Sequence, residues 1–114
     1  MIQLGDMMVS FDEWEKLDLR VGTIKSVEEH PDADRLYIIS VDLNGTEANL
    51  VAGLREHYKK DELIGKKVII LINLDPRNIR GVESKGMILA ASDGINPLTL
   101  LTVDRNVNNG SKIS

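Results

Sequence analysis

Between Arg55 and Lys85 the chain places eight cations, Arg55, Lys59, Lys60, Lys66, Lys67, Arg77, Arg80 and Lys85, with five acids among them. Their densest part is the stretch from Asn73 to Met87, Asn-Leu-Asp-Pro-Arg-Asn-Ile-Arg-Gly-Val-Glu-Ser-Lys-Gly-Met. Arg77 and Arg80 can turn forked N–H donors toward a phosphate, and Lys85 adds a point charge. Ser84 and the backbone N–H groups near Gly81 and Gly86 offer further donors to phosphate or sugar oxygens. The chemistry these types support is the binding of a polyanion such as nucleic acid. Spacing alone also fits a solvated loop whose charges serve solubility.

No reaction chemistry is assembled around them. The chain has no cysteine, so a nucleophile would have to be Ser or Thr with a nearby base. His30 precedes a proline and His57 sits among charges; neither belongs to a G-x-S-x-G element. Walker and G-x-G-x-x-G phosphate cradles are absent. His30, Asp32 and Asp34 are close enough in sequence to attract a cation. His-Pro-Asp is also good turn chemistry, and the polar turn is the reading adopted. Neither enzymatic activity, nor a metal, nor a cofactor is expected.

The elements that must position the cations can be read from periodicity. With 114 residues, 42% apolar and 28% charged, the chain suits one domain with one core. No stretch approaches the ~20 apolar residues of a membrane span. Met1 to Asp6 lacks the basic start of a signal peptide, so a cytoplasmic location is expected. Residues 1–8 read as a loose extension and 9–114 as the domain. Ser10 and Glu13 form a capping box, with Val9 and Trp14 at staple positions; Phe11, Trp14 and Leu17 should face inward. Strands are expected at 19–28, 35–43, 47–52, 67–72, 86–91 and 98–103. A bulge is expected near Gly22-Thr23, and a tight hairpin at Asn44-Gly45. A helical turn at 61–64 should end at Gly65. Three strands, a short helix and further strands imply an all-β chain. The fitting fold is the OB-fold, a five-stranded Greek-key barrel, here with a short N-terminal helix and a C-terminal strand extension. A β-sandwich is the alternative. The expected core is Val21, Ile24, Ile39, Val41, Val51, Ile70, Ile72, Ile88 and Leu89.

Charge and aromatic content narrow the ligand. The net charge is −4, but residues 1–57 carry 12 acids against 5 bases, whereas residues 58–114 carry 6 acids against 9 bases. The four aromatic residues are Phe11, Trp14, Tyr37 and Tyr58. Barrels that grip single strands stack several bases on aromatic rings. With so few, binding must rest on backbone charge and shape, which suits a folded RNA.

Four segments occur in order: Leu17-Asp-Leu-Arg-Val-Gly22, His30-Pro-Asp-Ala-Asp-Arg-Leu36, Val51-Ala-Gly-Leu54 and Arg80-Gly-Val-Glu-Ser-Lys-Gly-Met87. Over residues 9 to 114 this series resembles the tRNA-binding domain family. That family includes the C-terminal domain or separate β-subunit of methionyl-tRNA synthetase and small free-standing dimeric tRNA-binding proteins. The resemblance implies structure-specific, largely sequence-independent binding at the outer corner of tRNA. It also implies a homodimer built from the terminal additions, and a methionyl-tRNA synthetase as a further partner. Carried over residue by residue, the tRNA-binding surface would include Arg35, Asn73, Arg77, Arg80, Ser84, Lys85 and Met87. Met87 would pack against a ribose or base; as a residue, it reads equally well as a core filler at a strand start. The chain departs from many members at Asp32 and Arg35, where they carry Asn and Lys, and at Asn109-Gly110, where they carry Pro-Gly. Starting at its own Met and lacking synthetase catalytic motifs, it reads as a separate accessory subunit. The alternative on the same scaffold is a dimeric, protein-binding, export-related chaperone, a type that lacks the His-Pro-Asp-Ala-Asp element.

Overall fold

The computed structural model describes residues 7–114. The extension expected over residues 1–8 therefore lies outside the described residues up to position 6. A first helix, α1 (Phe11–Glu15), precedes strands β1 (Leu19–Glu29), β2 (Tyr37–Asp42) and β3 (Glu47–Ala52). The short helix α2 (Lys60–Leu63) leads to β4 (Lys67–Leu71). Five brief strands follow: β5 (Arg77–Ile79), β6 (Val82–Ser84), β7 (Met87–Ile88), β8 (Ala90–Ala91) and β9 (Thr99–Leu100). The main sheet is antiparallel in the order β3-β2-β1-β4-β7. It curls until β3 meets the end of β6, where the Lys85 N–H donates to the Asn49 carbonyl at 2.9 Å. The result is a nearly closed five-stranded barrel of the OB-like kind, with a short N-terminal helix.

Curvature comes from β1, the longest strand. Its register with β2 shifts between Ile24 and Ser26, slightly beyond the expected Gly22-Thr23. Gly22 instead permits close approach. A Cβ there would lie 2.4 Å from Val41 Cγ1, so only glycine lets β1 and β2 cross this closely. Asn44 and Gly45 turn β2 into β3 with φ of 67° and 98°, the two positive angles a two-residue hairpin requires. At the other end of β4, the Gly65 N–H donates to the Ile24 carbonyl at 2.8 Å and seats α2 across the barrel.

Inside, Ile24, Ile39, Val41, Leu50, Leu63, Val68 and Ile70 are essentially sealed from solvent. Each contributes about 1.5–3 kcal/mol by leaving water. The alternation of β3 runs one residue out of phase with the expected core: Ala48 and Leu50 face in, while Val51 is only half-buried. Ile72 and Leu89 are likewise half-buried. A second apolar layer, Leu19, Val21, Ile69 and Leu71, lies on the other face of β1 and β4, covered by Leu89, Val103 and Ile113. The strand expected over 98–103 is only Thr99–Leu100, pairing with β8. The chain beyond runs along β1, with Val21 N–H on the Ser111 carbonyl and Ile113 N–H on the Leu19 carbonyl, each at 2.9 Å.

Helix α1 is capped as expected, the Glu13 N–H donating to Ser10 Oγ at 3.1 Å. The inward packing expected of it is corrected by the structure. Phe11 is 70% exposed, Trp14 37% and Leu17 42%, and no residue of the helix is buried. A helix of five residues rides outside the barrel, and among the described residues nothing covers its apolar side.

Candidate functional site

The densest basic stretch folds as a second hairpin, β5–β6, with Arg77 opposite Ser84 and Ile79 opposite Val82. Its two turn residues, Arg80 and Gly81, have φ of 54° and 90°. The Asn78 carboxamide accepts the Gly81 N–H at 2.9 Å and stiffens the bend. Left-handed backbone is routine for Gly and tolerable for Asn, but costs an arginine on the order of 1 kcal/mol. The apex thus holds a guanidinium in a conformation its own backbone disfavours.

Two braces fix this hairpin to the barrel. On the β6 side Ser84, 5% exposed, accepts the Val51 N–H on its hydroxyl oxygen at 3.0 Å. On the β5 side His30, 3% exposed, sets Nε2 at 3.0 Å from the Ile79 carbonyl. The other ring nitrogen, Nδ1, accepts the Asp32 N–H at 3.0 Å. Nδ1 must therefore be unprotonated, and Nε2 carries the hydrogen it donates. Gly86 completes the frame: a Cβ there would lie 2.9 Å from the Leu71 carbonyl oxygen.

The hairpin contributes to two surface pockets. Ala33, Asp34, Arg35, Leu36 and Arg80 line one of about 310 Å³. The other, about 70 Å³, includes Leu74, Arg77, Ile79, Ser84, Gly86 and Met87 in its lining. Five of the seven residues expected at the site, Arg35, Arg77, Arg80, Ser84 and Met87, thus gather at these pockets. Met87 is 46% exposed. Lys85 follows β6 and points a charge at solvent beside Glu83, at 3.4 Å. Asn73 stands apart: its amide oxygen accepts the Asp18 N–H at 2.9 Å and its nitrogen donates to the Lys16 carbonyl at 2.6 Å. That side chain ties the α1–β1 connection to the end of β4.

The electrostatics of the cations divide in the same way. Arg35 pairs with Glu56 at 3.0 Å, but both side chains are more than half exposed. Surface pairs of this kind are worth about 0–1 kcal/mol and are screened by salt, so a phosphate can displace the carboxylate cheaply. Arg77 and Arg80 form no ion pair among the described residues. The rest of the basic constellation lies elsewhere: Arg55 and Lys60 share Glu29, at 3.1 and 3.6 Å, and Lys66 lies 5.9 Å from the Tyr58 ring centre. The tyrosines are committed internally. Tyr37 donates its hydroxyl to the Tyr58 carbonyl at 2.8 Å, and the Tyr58 hydroxyl accepts the Leu100 N–H at 3.1 Å. No aromatic ring lines either hairpin pocket.

Sequence reasoning placed His30 in a polar turn and missed its long-range bond. A signal was present: a histidine two residues before Asp32 can accept that N–H much as an Asx turn does, which leaves its far nitrogen free for a distant partner. Among the described residues no group of three His, Asp or Glu is placed to hold a metal ion, and no helix is long and apolar enough to cross a membrane.

Residues 19–112 match the family model described as "Putative tRNA binding domain". A methionine–tRNA ligase of Thermococcus kodakarensis is 54% identical over 105 residues, which is 92% of this chain and 14% of that protein. The chain thus spans about a seventh of such a relative's length. Among solved structures, a MetRS related protein from Pyrococcus horikoshii superposes with a TM-score of 0.87 at 30% identity, covering 95% of this chain and 99% of that one. The CsaA chaperone protein of Picrophilus torridus gives a TM-score of 0.86 at 34% identity, covering 94% and 100%.

Proposed function

Since the chain belongs to the family of tRNA-binding domains, we propose that it grips the outer corner of folded tRNA as an accessory module of a methionyl-tRNA synthetase, acting in the cytoplasm. The observation that carries this reading is the braced hairpin: Arg77 and Arg80 stand exposed and unpaired among the described residues on an element fixed at both ends. Arg35 and Lys85 add two cations held only by exposed pairs. Met87 packs against a ribose or base beside Arg77. Ser84 and Asn73 serve the surface through the connections they hold. With ~4 phosphates neutralised, raising salt from about 50 to 200 mM lowers affinity on the order of 10²-fold. Without rings at the hairpin, base stacking adds little, so shape selects folded over unstructured RNA. Linked to a synthetase, the domain raises the local tRNA concentration without touching the reaction.

The module works as a homodimer. The exposed Phe11, Trp14 and Leu17 on and beside α1 form an apolar side that a second copy would cover. Sedimentation should give twice the 12.7 kDa chain mass, and replacing Phe11 and Trp14 by Ser should halve it. The likeness to a CsaA chaperone protein supports a second reading, binding of unfolded polypeptide. A filter-binding titration with tRNA, an unstructured RNA and an unfolded polypeptide separates them. Preference for tRNA supports the first reading; equal binding of both RNAs, or retention of polypeptide alone, overturns it.

A further inference from the structure

His30 lies in the same turn as Arg35, yet its ring is buried and reaches across to β5. A buried imidazole must satisfy both nitrogens, and here each has one partner: Asp32 N–H within its own turn, and the Ile79 carbonyl on β5. Ile79 immediately precedes Arg80, whose backbone is held at φ 54°. Arg35 from the β1–β2 turn and Arg80 from the hairpin apex then face one pocket. We propose that His30 is a positioning residue for RNA binding. Its Nε2–H···O=C bond to Ile79 holds the β5–β6 hairpin against the β1–β2 turn, so that Arg35 and Arg80 clamp one phosphodiester. The ligand in this inference rests on the tRNA reading; the tether itself does not.

Two near-isosteric substitutions test it. His30→Gln keeps an amide N–H near the Nε2 position and loses the acceptor for Asp32. His30→Asn keeps an acceptor near Nδ1 and cannot reach Ile79. Each variant loses one hydrogen bond, so a role in stability alone would lower both alike. Positioning predicts a split. His30→Gln binds tRNA within about twofold of the wild type, while His30→Asn binds on the order of tenfold more weakly, with a salt slope shallower by about one. In the RNA-free protein, tryptic cleavage after Arg77 and Arg80 accelerates in His30→Asn and not in His30→Gln. Equal behaviour of the two variants in both assays overturns the proposal. If the wild type fails to bind tRNA while trypsin still separates the variants, the ligand is wrong and the tether stands. Should His30→Asn not fold, the wild-type Nε2 proton decides by NMR: slow exchange with solvent supports the tether, and fast exchange overturns it.

Discussion

The two tight hairpins of this molecule share a backbone and differ in what they do with it. Both turn through two residues of positive φ, Asn44-Gly45 between β2 and β3 and Arg80-Gly81 between β5 and β6. The first uses the residue best suited to that conformation, and its polar groups bond to one another. The Asp42 carboxylate accepts the Asn44 N–H at 3.0 Å, and Glu47 accepts from Lys25 at 2.5 Å and from Ser40 at 3.0 Å. Lys25 and Ser40 together hold the Glu47 carboxyl below its usual range. The second hairpin places an arginine where asparagine would be easier and leaves its guanidinium without a carboxylate among the described residues. One hairpin closes a sheet. The other accepts local strain to display charge, and the braces at Ile79 and Ser84 keep that display rigid.

The largest expected effect comes from emptying the second hairpin of charge. Replacing Arg77 and Arg80 by Ala should weaken tRNA binding on the order of 10–100-fold at low salt, with little change in stability because both side chains are exposed. Removing Lys25 and Glu47 together should leave binding unchanged in the same titration.

An exchange between the turns sharpens the contrast. Arg80→Asn should raise unfolding free energy by about 0.5–1 kcal/mol in a denaturant melt, yet weaken tRNA binding several-fold. Asn44→Arg should lower stability by about 1 kcal/mol and leave binding intact. If Arg80→Asn bound tRNA as well as the wild type, strain at the apex would have no connection to charge display.

Smaller effects follow from the braces and from a region remote from both turns. Ser84→Ala leaves the Val51 N–H without its acceptor, a loss of about 1–3 kcal/mol by thermal melt. Its salt slope should stay near that of the wild type, because the His30 bond to Ile79 still holds Arg80 beside Arg35. In the 92–97 loop, Asp93 accepts the Asn96 and Ile95 N–H groups, which hold its carboxyl down to about 2. A lowered folded pKa means that this contribution is complete above the ordinary value of 3.8 and is lost as pH falls through about 2. A carboxyl NMR titration with its midpoint near 3.8 would show that the loop does not hold.

Much of the first hairpin was legible in the sequence, and little of the second. Asn-Gly between alternating apolar residues is a strong turn signal, and Ser10 with Glu13 marked the helix start correctly. Arg-Gly carries no such signal, because arginine is a poor choice for positive φ, so 73–85 read as a loop and β5 and β6 went unseen. The residue types for phosphate binding were visible there; their bracing was not. His30 and Ile79 lie 49 positions apart, so the turn chemistry around His30 could free its far nitrogen without naming the partner. The same limit explains the one-residue phase error on β3, where Leu50 and not Val51 fills the core. It also explains α1, whose apolar periodicity is real although no part of the chain among the described residues covers it.

The most direct test is the salt dependence of tRNA affinity in the wild type and in the Arg77→Ala/Arg80→Ala variant, measured side by side. Phosphate contacts made by the second hairpin predict a log–log slope of roughly −3 to −4 for the wild type, shallower by about two in the variant. Identical slopes in the two proteins would mean that these arginines do not meet the RNA backbone.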